Sequence, residues 1–201
     1  MERLTLRFDT DDILMCISGE TQNFRYQVDP TYKQNRKATR KPLALKAMRA
    51  KVMKEYPSYC FEGLEADDVL GIFATRLKSK CIVVSEDKDL KTIPCTLYRA
   101  GKLETISEAE ADYFFFTQVL TGDTADGYPG LPGVGPVKAL AILSAVDGRG
   151  NAEAWRAIVK AYTKRGLTED DAIRQARLAR ILRSCDWDAK LRKPILWTPE
   201  R

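Results

Sequence analysis

The chain of 201 residues contains no histidine. This absence excludes Ser-His-Asp and Cys-His catalysis, and with them the HExxH zinc proteases. Its five cysteines are scattered and form no CxxC pair, so the sequence indicates neither a zinc cage nor a disulfide framework, and a reducing cytoplasm is the expected location. No apolar run approaches the length that crosses a bilayer, so no membrane partner is expected.

Acidic residues are missing from one basic segment, residues 30–54. The segment holds nine Lys/Arg and no Asp or Glu, within a chain of net charge +5. A basic arm of this kind is typical of a surface that holds a polyanion. The alternative is a solvated helix face, which most isolated charge runs are.

Carboxylates, in contrast, occur in three short clusters that follow the basic segment. These clusters are Glu65-Ala66-Asp67-Asp68, Glu86-Asp87-Lys88-Asp89 and Asp123-Thr124-Ala125-Asp126. Carboxylates repel one another unless a cation neutralises them, and hard oxygen ligands suit Mg²⁺ or Mn²⁺. Two such ions could hold both the attacking and the leaving oxygen of a phosphodiester.

Each cluster also has a simpler interpretation. Acids in the first turn of a helix at Glu65 would complement the helix dipole, and Asp87 or Asp89 would cap a turn. The third cluster is harder to explain without a cation, because Asp123 and Asp126 would follow the C-terminus of a helix, where the dipole opposes negative charge.

A glycine-rich loop follows the third cluster. Gly130, Gly133 and Gly135 precede a helix that begins near Pro136, and Lys138 lies in its first turn. The GxxxxGK[ST] pattern of a P-loop is absent, which disfavours a nucleotide-using kinase or ATPase. We therefore expect these glycines and Lys138 to bind a nucleic-acid backbone phosphate without reading sequence.

The order of strands and helices predicts an α/β fold with a parallel sheet. Residues 1–106 are predicted to form the metal-binding α/β core, and residues 107–201 a helical DNA-binding region. Ser107 and Thr168 are predicted to start helices with capping boxes. Strands are expected over 12–18, 81–85, 95–99 and 103–106, and helices over 42–55, 65–78, 137–145, 152–164 and 168–185, with a loop over 20–30.

Four motifs resemble the phage 5′–3′ exonuclease and flap endonuclease family, most closely the replication exonucleases of short-tailed phages. They are VDPTYKQNRK (28–37), LEADDVLG (64–71), VSEDKDLKTIP (84–94) and GDTADGYPGLPGVG (122–135). The resemblance covers nearly the whole chain. It implies a PIN-like parallel-sheet core, two divalent metals, a basic gateway over residues 30–54, and a helix–three-turn–helix region that grips duplex DNA, often with K⁺.

The resemblance also assigns roles to individual residues. Lys33 and Arg36 resemble gateway residues that contact the scissile phosphate, and Tyr32 is expected to stack on a base. Glu20 takes the place of an Asp that the family usually has before its Asn-aromatic-Arg sequence. The remaining expected DNA contacts are Lys37, Arg40 and Lys41, and the remaining expected metal ligands are Glu65, Asp67, Asp68, Asp87, Asp89, Asp123 and Asp126.

The family begins with a strand that bears an Asp, and no counterpart of this strand precedes residue 13. We therefore expect an N-terminally truncated core, weak activity of the chain alone, and a complementary N-terminal fragment as a partner. The predicted function is a metal-dependent 5′–3′ nuclease acting on duplex or flapped DNA with 5′ ends. The alternative is a non-catalytic DNA-binding fragment or one half of a split nuclease.

Overall fold

The computed structural model describes residues 2–36 and 42–200. Eight α-helices and seven β-strands are described within these ranges. The helices are α1 Glu2–Phe8, α2 Arg25–Val28, α3 Leu45–Glu55, α4 Ala66–Leu77, α5 Glu108–Thr121, α6 Pro136–Ser144, α7 Asn151–Thr163 and α8 Glu169–Ala179. The strands are β1 Met15–Ser18, β2 Ser58–Phe61, β3 Ile82–Val84, β4 Cys95–Arg99, β5 Lys102–Ile106, β6 Trp187–Asp188 and β7 Lys193–Pro194.

Parallel strand pairing dominates the first half of the chain, as predicted. β1 pairs with β2 in parallel, and β3 pairs with β4 in parallel. β5 adds to β4 as an antiparallel hairpin strand. Helix α4 connects the two parallel pairs and packs against β1, β2 and β3. The carboxyl end of β3 and the N-terminus of α4 therefore belong to the same packed unit, which is where a ligand site is expected in such sheets.

Both predicted capping boxes are present. The Ser107 hydroxyl accepts from the backbone N–H of Glu110, whose carboxylate accepts from the Ser107 N–H, and α5 begins there. The same reciprocal pair joins Thr168 and Asp171 at the start of α8. These caps satisfy backbone donors that a helix N-terminus otherwise leaves unpaired.

Three local predictions were wrong. The segment 20–30, predicted as a loop, contains the short helix α2, and strand β2 was not predicted. Helix α8 ends at Ala179, whereas the sequence predicted a helix up to residue 185. The chain leaves the helix there to cross α4, where the Leu182 N–H donates to Asp68 and the Leu182 carbonyl oxygen lies 2.4 Å from where a Cβ on Gly71 would stand.

Three hydrophobic clusters form the interior. The largest combines α5 to α8 with Tyr32 and Trp197, the second packs α4 against β3 and β4, and the third surrounds Phe24 and Trp187. Helix α3 in the basic segment contributes no buried residue. In the described ranges, no helix is both long and apolar enough to cross a membrane.

Candidate active site

A cavity of about 250 Å³ opens where the three acidic clusters meet. Basic side chains also line it, namely Arg25, Lys33, Arg36 and Lys88. Among residues 2–36 and 42–200, no three acids converge closely enough to form a preassembled metal cage. The carboxylates on the cavity wall are Glu65, Asp67, Asp87, Asp89, Asp123 and Asp126.

The first cluster places Glu65 and Asp67 on the cavity wall but turns Asp68 away. Glu65 is the N-cap of α4, and the Asp68 carboxylate accepts its backbone N–H at 3.1 Å. Asp68 is fully buried and forms two hydrogen bonds with the Arg25 guanidinium, at 2.7 and 2.8 Å. Asp68 does not line the cavity and both of its oxygens accept hydrogen bonds, which argues against its expected role as a metal ligand.

The second cluster follows the carboxyl end of β3. The Asp87 carboxylate accepts the Asp89 N–H at 2.9 Å and so caps a short 3-10 helix, Lys88–Thr92. Asp87 therefore fulfils the simple capping role, yet it also lines the cavity. Asp89 accepts a hydrogen bond at 2.7 Å from the side chain of Gln118 on α5.

The third cluster lies in a tight turn after α5. Asp123 Oδ1 accepts the N–H groups of Ala125 and Asp126, and Asp123 forms a bridge with Tyr128 that closes the turn. Gly130 packs so tightly beneath this turn that a Cβ there would lie 2.2 Å from the Gly122 nitrogen. This packing brings Asp123 and Asp126 to the cavity from the helical half of the chain.

The two predicted catalytic cations contact these acids directly. The Lys33 ammonium lies 2.5 Å from Glu65 Oε1 and 3.5 Å from Asp126 Oδ2. The Arg36 guanidinium lies 2.7 Å from Asp126 Oδ1, and about half of that side chain is exposed. Lys33 thus bridges the first and third clusters, and Arg36 lies at the open rim.

Several expected contacts with DNA or metal were wrong. Tyr32 is 1% exposed and has no free ring face for a base, and its hydroxyl hydrogen-bonds with Glu65 and Asp126 at 3.1 Å each. Glu20 does not line the cavity and instead lies 3.6 Å from Arg49. The N–H of buried Gly130 is not free for a phosphate, because it donates to Gln175 Oε1 at 2.9 Å. Lys37, Arg40 and Lys41 lie outside the described residues.

Two of the three hairpin glycines remain open to a ligand. Gly133 and Gly135 are exposed, and a Cβ on either would meet nothing within 4 Å. Gly135 is the N-cap of α6, so the unpaired N–H groups of that helix point outward beside it. The Lys138 ammonium donates to the Gly133 carbonyl at 2.8 Å, which places a positive charge at the same helix end.

Burial and neighbouring negative charges raise the pKa of two carboxyl groups in the cavity. Burial raises the pKa of Asp67 to about 7, with added repulsion from Asp87, Glu65 and Asp68. Burial also raises the pKa of Asp89 to about 6, with repulsion from Asp87. Burial raises the pKa of Tyr32 well above its usual range, so its hydroxyl stays a donor between two carboxylates.

These residues fit a hard divalent cation. Six carboxylates face three adaptable cations, Lys33, Arg36 and Lys88, while Arg25 is fixed by Asp68. Burial, together with repulsion between the acids, raises the pKa values of Asp67 and Asp89, and a bound divalent ion would relieve the repulsion. An all-oxygen ligand set in a chain without histidine suits Mg²⁺ or Mn²⁺ better than zinc.

Two buried residues of the site were not identified from the sequence. Arg25 anchors α4 by bonding Asp68 and the carbonyl oxygens of Leu178 and Arg180. Gln118 was overlooked because it lies among aromatic residues in an otherwise apolar helix face. The Asn-aromatic-Arg motif was a usable signal for Arg25, whereas the polar residue in an apolar pattern was the only sequence signal for Gln118.

Comparisons with known proteins agree with the predicted fold and family. Residues 1–113 match the family model described as 5′-3′ exonuclease, N-terminal resolvase-like domain. The exodeoxyribonuclease of Enterobacteria phage T3 is 31% identical over 90% of this chain and 71% of its own. The exonuclease of Escherichia phage T7 is 30% identical over 90% of this chain and 72% of its own.

A solved structure has the same fold at low sequence identity. The phage T5 D15 protein, co-crystallised with metal ions, aligns with a TM-score of 0.64 and 16% identity, over 89% of this chain and 79% of that one. This likeness supports the α/β 5′-nuclease architecture. The family match over more than half of the residues and the phage relatives at 31% and 30% identity show that the chain belongs to the 5′–3′ exonuclease family.

Proposed function

We propose that this chain is a metal-dependent nuclease that hydrolyses DNA phosphodiester bonds from 5′ ends. The observation that carries the proposal is the convergence of acids from three distant parts of the sequence on one cavity, with Lys33 and Arg36 at its edge. The phage relatives named exodeoxyribonuclease and exonuclease, each about 30% identical, support the same reaction class.

Six residues are proposed to hold two Mg²⁺ or Mn²⁺ ions. They are Glu65, Asp67, Asp87, Asp89, Asp123 and Asp126, all of which line the cavity. When bound, such ions supply Lewis acidity and a nucleophilic water at neutral pH. The carboxylates contribute by fixing where the positive charge lies, and Asp68 contributes only indirectly, by holding α4 against Arg25.

Lys33 and Arg36 are proposed to bind the scissile phosphate. Lys33 now pairs with Glu65 and Asp126, and Arg36 pairs with Asp126; these are acids that divalent ions would neutralise. Freed from these acids, their donors can contact the non-bridging phosphate oxygens, where negative charge grows as the bond breaks. Arg36 suits phosphate binding better than Lys33 does, because its planar guanidinium can donate two parallel hydrogen bonds to two phosphate oxygens.

The DNA duplex is proposed to run from the cavity to the glycine hairpin. Gly133, Gly135 and Lys138 would hold a backbone phosphate at the N-terminus of α6, with K⁺ as an additional hairpin ligand. Lys37, Arg40 and Lys41 would add to the basic gateway of residues 30–54. In this proposal residues 1–106 form the metal-binding core, residues 107–201 grip the duplex, and the protein acts in the cytoplasm of a phage-infected host.

A second proposal concerns the open edges of the parallel strands. Among the described residues, β1 pairs only with β2, and β3 pairs only with β4 along its parallel edge. Ile82 and Val84 on β3 are 38% and 42% exposed, which is high for a strand of a central sheet. Unpaired edges readily accept another strand, so a complementary N-terminal segment that carries a further Asp is a candidate partner. Without it, the chain would bind DNA and cleave it weakly.

One assay separates these proposals. A duplex labelled at its 5′ end is incubated with the chain in EDTA, Mg²⁺ or Mn²⁺, with and without a family-like N-terminal segment. Release of short labelled products only with the metals supports the nuclease. Cleavage that needs the added segment supports the split enzyme, and metal-independent binding without cleavage under any condition supports the non-catalytic alternative.

A further inference from the structure

One buried amide faces the acidic cavity. Gln118 lies on the inner side of α5, next to the core residue Val119, and is 7% exposed. A buried amide is costly unless it is hydrogen-bonded, so its partner is informative. The Gln118 side-chain nitrogen donates to Asp89 Oδ1 at 2.7 Å, and both residues line the cavity.

This contact fixes one oxygen of Asp89. In the described part of the chain, no other side chain hydrogen-bonds to the Asp89 carboxylate, and Lys88 lies 3.9 Å from the same oxygen with most of its side chain in solvent. Asp89 Oδ2 accepts no hydrogen bond from any described residue. The carboxylate is therefore held by one oxygen while the other remains available.

A neutral donor suits this task. An ammonium or guanidinium that held Asp89 would add positive charge beside a divalent cation and oppose its binding. The Gln118 amide orients the carboxylate without any net charge. It resembles in this respect the outer hydrogen-bond partners that commonly orient metal-binding carboxylates in proteins.

The backbone of Gln118 also bonds the residue that precedes the third acidic cluster. Its carbonyl oxygen accepts the Gly122 N–H at 2.8 Å, and Gly122 directly precedes Asp123. One residue thus touches Asp89 through its side chain and sets the start of the Asp123 turn through its main chain. Given the proposed function, we propose that Gln118 is a positioning residue that fixes the Asp89 carboxylate for divalent-cation binding.

The test measures Mn²⁺ binding without DNA, by electron paramagnetic resonance of the free ion. Gln118→Met keeps the length of the side chain and removes its donor. We expect its Mn²⁺ dissociation constant to rise about 10- to 100-fold. Thr117→Val, at the neighbouring position on α5, is the control. It removes a hydroxyl that donates to the Tyr113 carbonyl oxygen within the same helix. We expect its Mn²⁺ dissociation constant to equal that of the parent.

A kinetic readout separates positioning from general loss of structure. Cleavage by Gln118→Met is expected to be slow at limiting Mn²⁺ and to recover when Mn²⁺ is saturating, whereas a merely structural defect would not be rescued by metal. A folded Gln118→Met whose Mn²⁺ constant stays within twofold of the parent overturns the proposal.

Two further outcomes are decisive. If Gln118→Met does not fold by circular dichroism, Gln118→Asn replaces it, because Asn keeps the amide but withdraws it by one methylene. Weaker Mn²⁺ binding by Gln118→Asn supports the proposal, and unchanged binding overturns it. A parent chain that binds no Mn²⁺ instead contradicts the proposed function, which distinguishes the two failures.

Discussion

Arg25 and Asp68 form a buried ion pair with two hydrogen bonds, at 2.7 and 2.8 Å, beneath the wall of the acidic cavity. Asp68 is separated by one peptide bond from Asp67, yet the two carboxylates have opposite surroundings. Asp68 is paired and fully buried, whereas Asp67 lines the cavity and has a raised pKa. The first acidic cluster therefore combines a structural acid with a proposed metal ligand.

Replacing Arg25 by Met should destabilise the fold by about 3 to 5 kcal/mol, because it leaves the Asp68 charge buried without a partner. Chemical denaturation measures the loss. The exposed pair Lys51–Glu55, 3.8 Å apart on α3, is the control, and Lys51→Met should cost less than about 0.5 kcal/mol. Equal small losses at both sites would show that the Arg25 pair is not structural.

Neighbouring Asp→Asn replacements should separate metal binding from stability. Asp67→Asn is expected to weaken Mn²⁺ binding, because it removes a cavity carboxylate. Asp68→Asn is expected to lower the unfolding midpoint while a folded sample still binds Mn²⁺ nearly as the parent does. Calorimetric titration with Mn²⁺ checks both variants, and a larger loss of affinity in Asp68→Asn would restore Asp68 as a ligand.

The raised pKa of Asp67, about 7, predicts how stability depends on pH in EDTA. Its usual value is near 4, so between about pH 4 and 7 the folded state binds more protons than the unfolded state. The contribution of Asp67 to the free energy of unfolding is therefore fully present below pH 4 and is lost as the pH rises through 7. At pH 8 without metal, Asp67→Asn should be more stable than the parent by roughly 1 to 2 kcal/mol. Thermal unfolding at pH 5 and pH 8 provides the comparison, and a difference that is larger at pH 5 contradicts the sign.

Lys33→Ala should lower turnover more than DNA affinity. The ammonium contacts Glu65 and Asp126 in the cavity wall, beside which negative charge on a phosphate would grow during cleavage. Single-turnover rates and binding constants for the same duplex give the two quantities. A loss confined to binding would make Lys33 part of the electrostatic surface alone.

Gly135→Val should weaken duplex binding uniformly across sequences. Gly135 has extended backbone angles, φ −98 and ψ −175, so valine fits its conformation. A Cβ there would meet no other atom within 4 Å, at the place where a phosphate is proposed to approach. Fluorescence anisotropy with several unrelated duplexes measures the effect. Gly130→Ala, by contrast, should mainly destabilise the fold, since Gly130 has φ +64 and packs on Gly122. Unaltered affinity in Gly135→Val removes the hairpin from the interface.

Much of this arrangement was accessible from the sequence. The parallel strands β3 and β4, the α5 and α8 capping boxes and the acidic clusters follow local rules of periodicity and capping. Tyr32 and Gly130 were misassigned because their burial depends on residues far away in sequence: Tyr32 hydrogen-bonds with Asp126, and Gly130 with Gln175. The end of α8 was missed for the same reason, since its exit is set by contacts with α4 rather than by a local stop signal.

The central claim is that the cavity acids hold metal for cleavage. Its most direct test is single-turnover cleavage of a 5′-labelled duplex in Mg²⁺ by the double variant Asp87→Asn/Asp89→Asn. The assay uses the chain alone or with the added N-terminal segment, whichever of the two cleaves as the parent. Glu86→Gln is the matched control, because Glu86 lies in the same cluster but bonds the Ala100 N–H outside the cavity. We predict no cleavage by the double variant with DNA binding as tight as the parent or tighter, and near-parental cleavage by Glu86→Gln. Parental cleavage by the double variant would contradict the metal assignment.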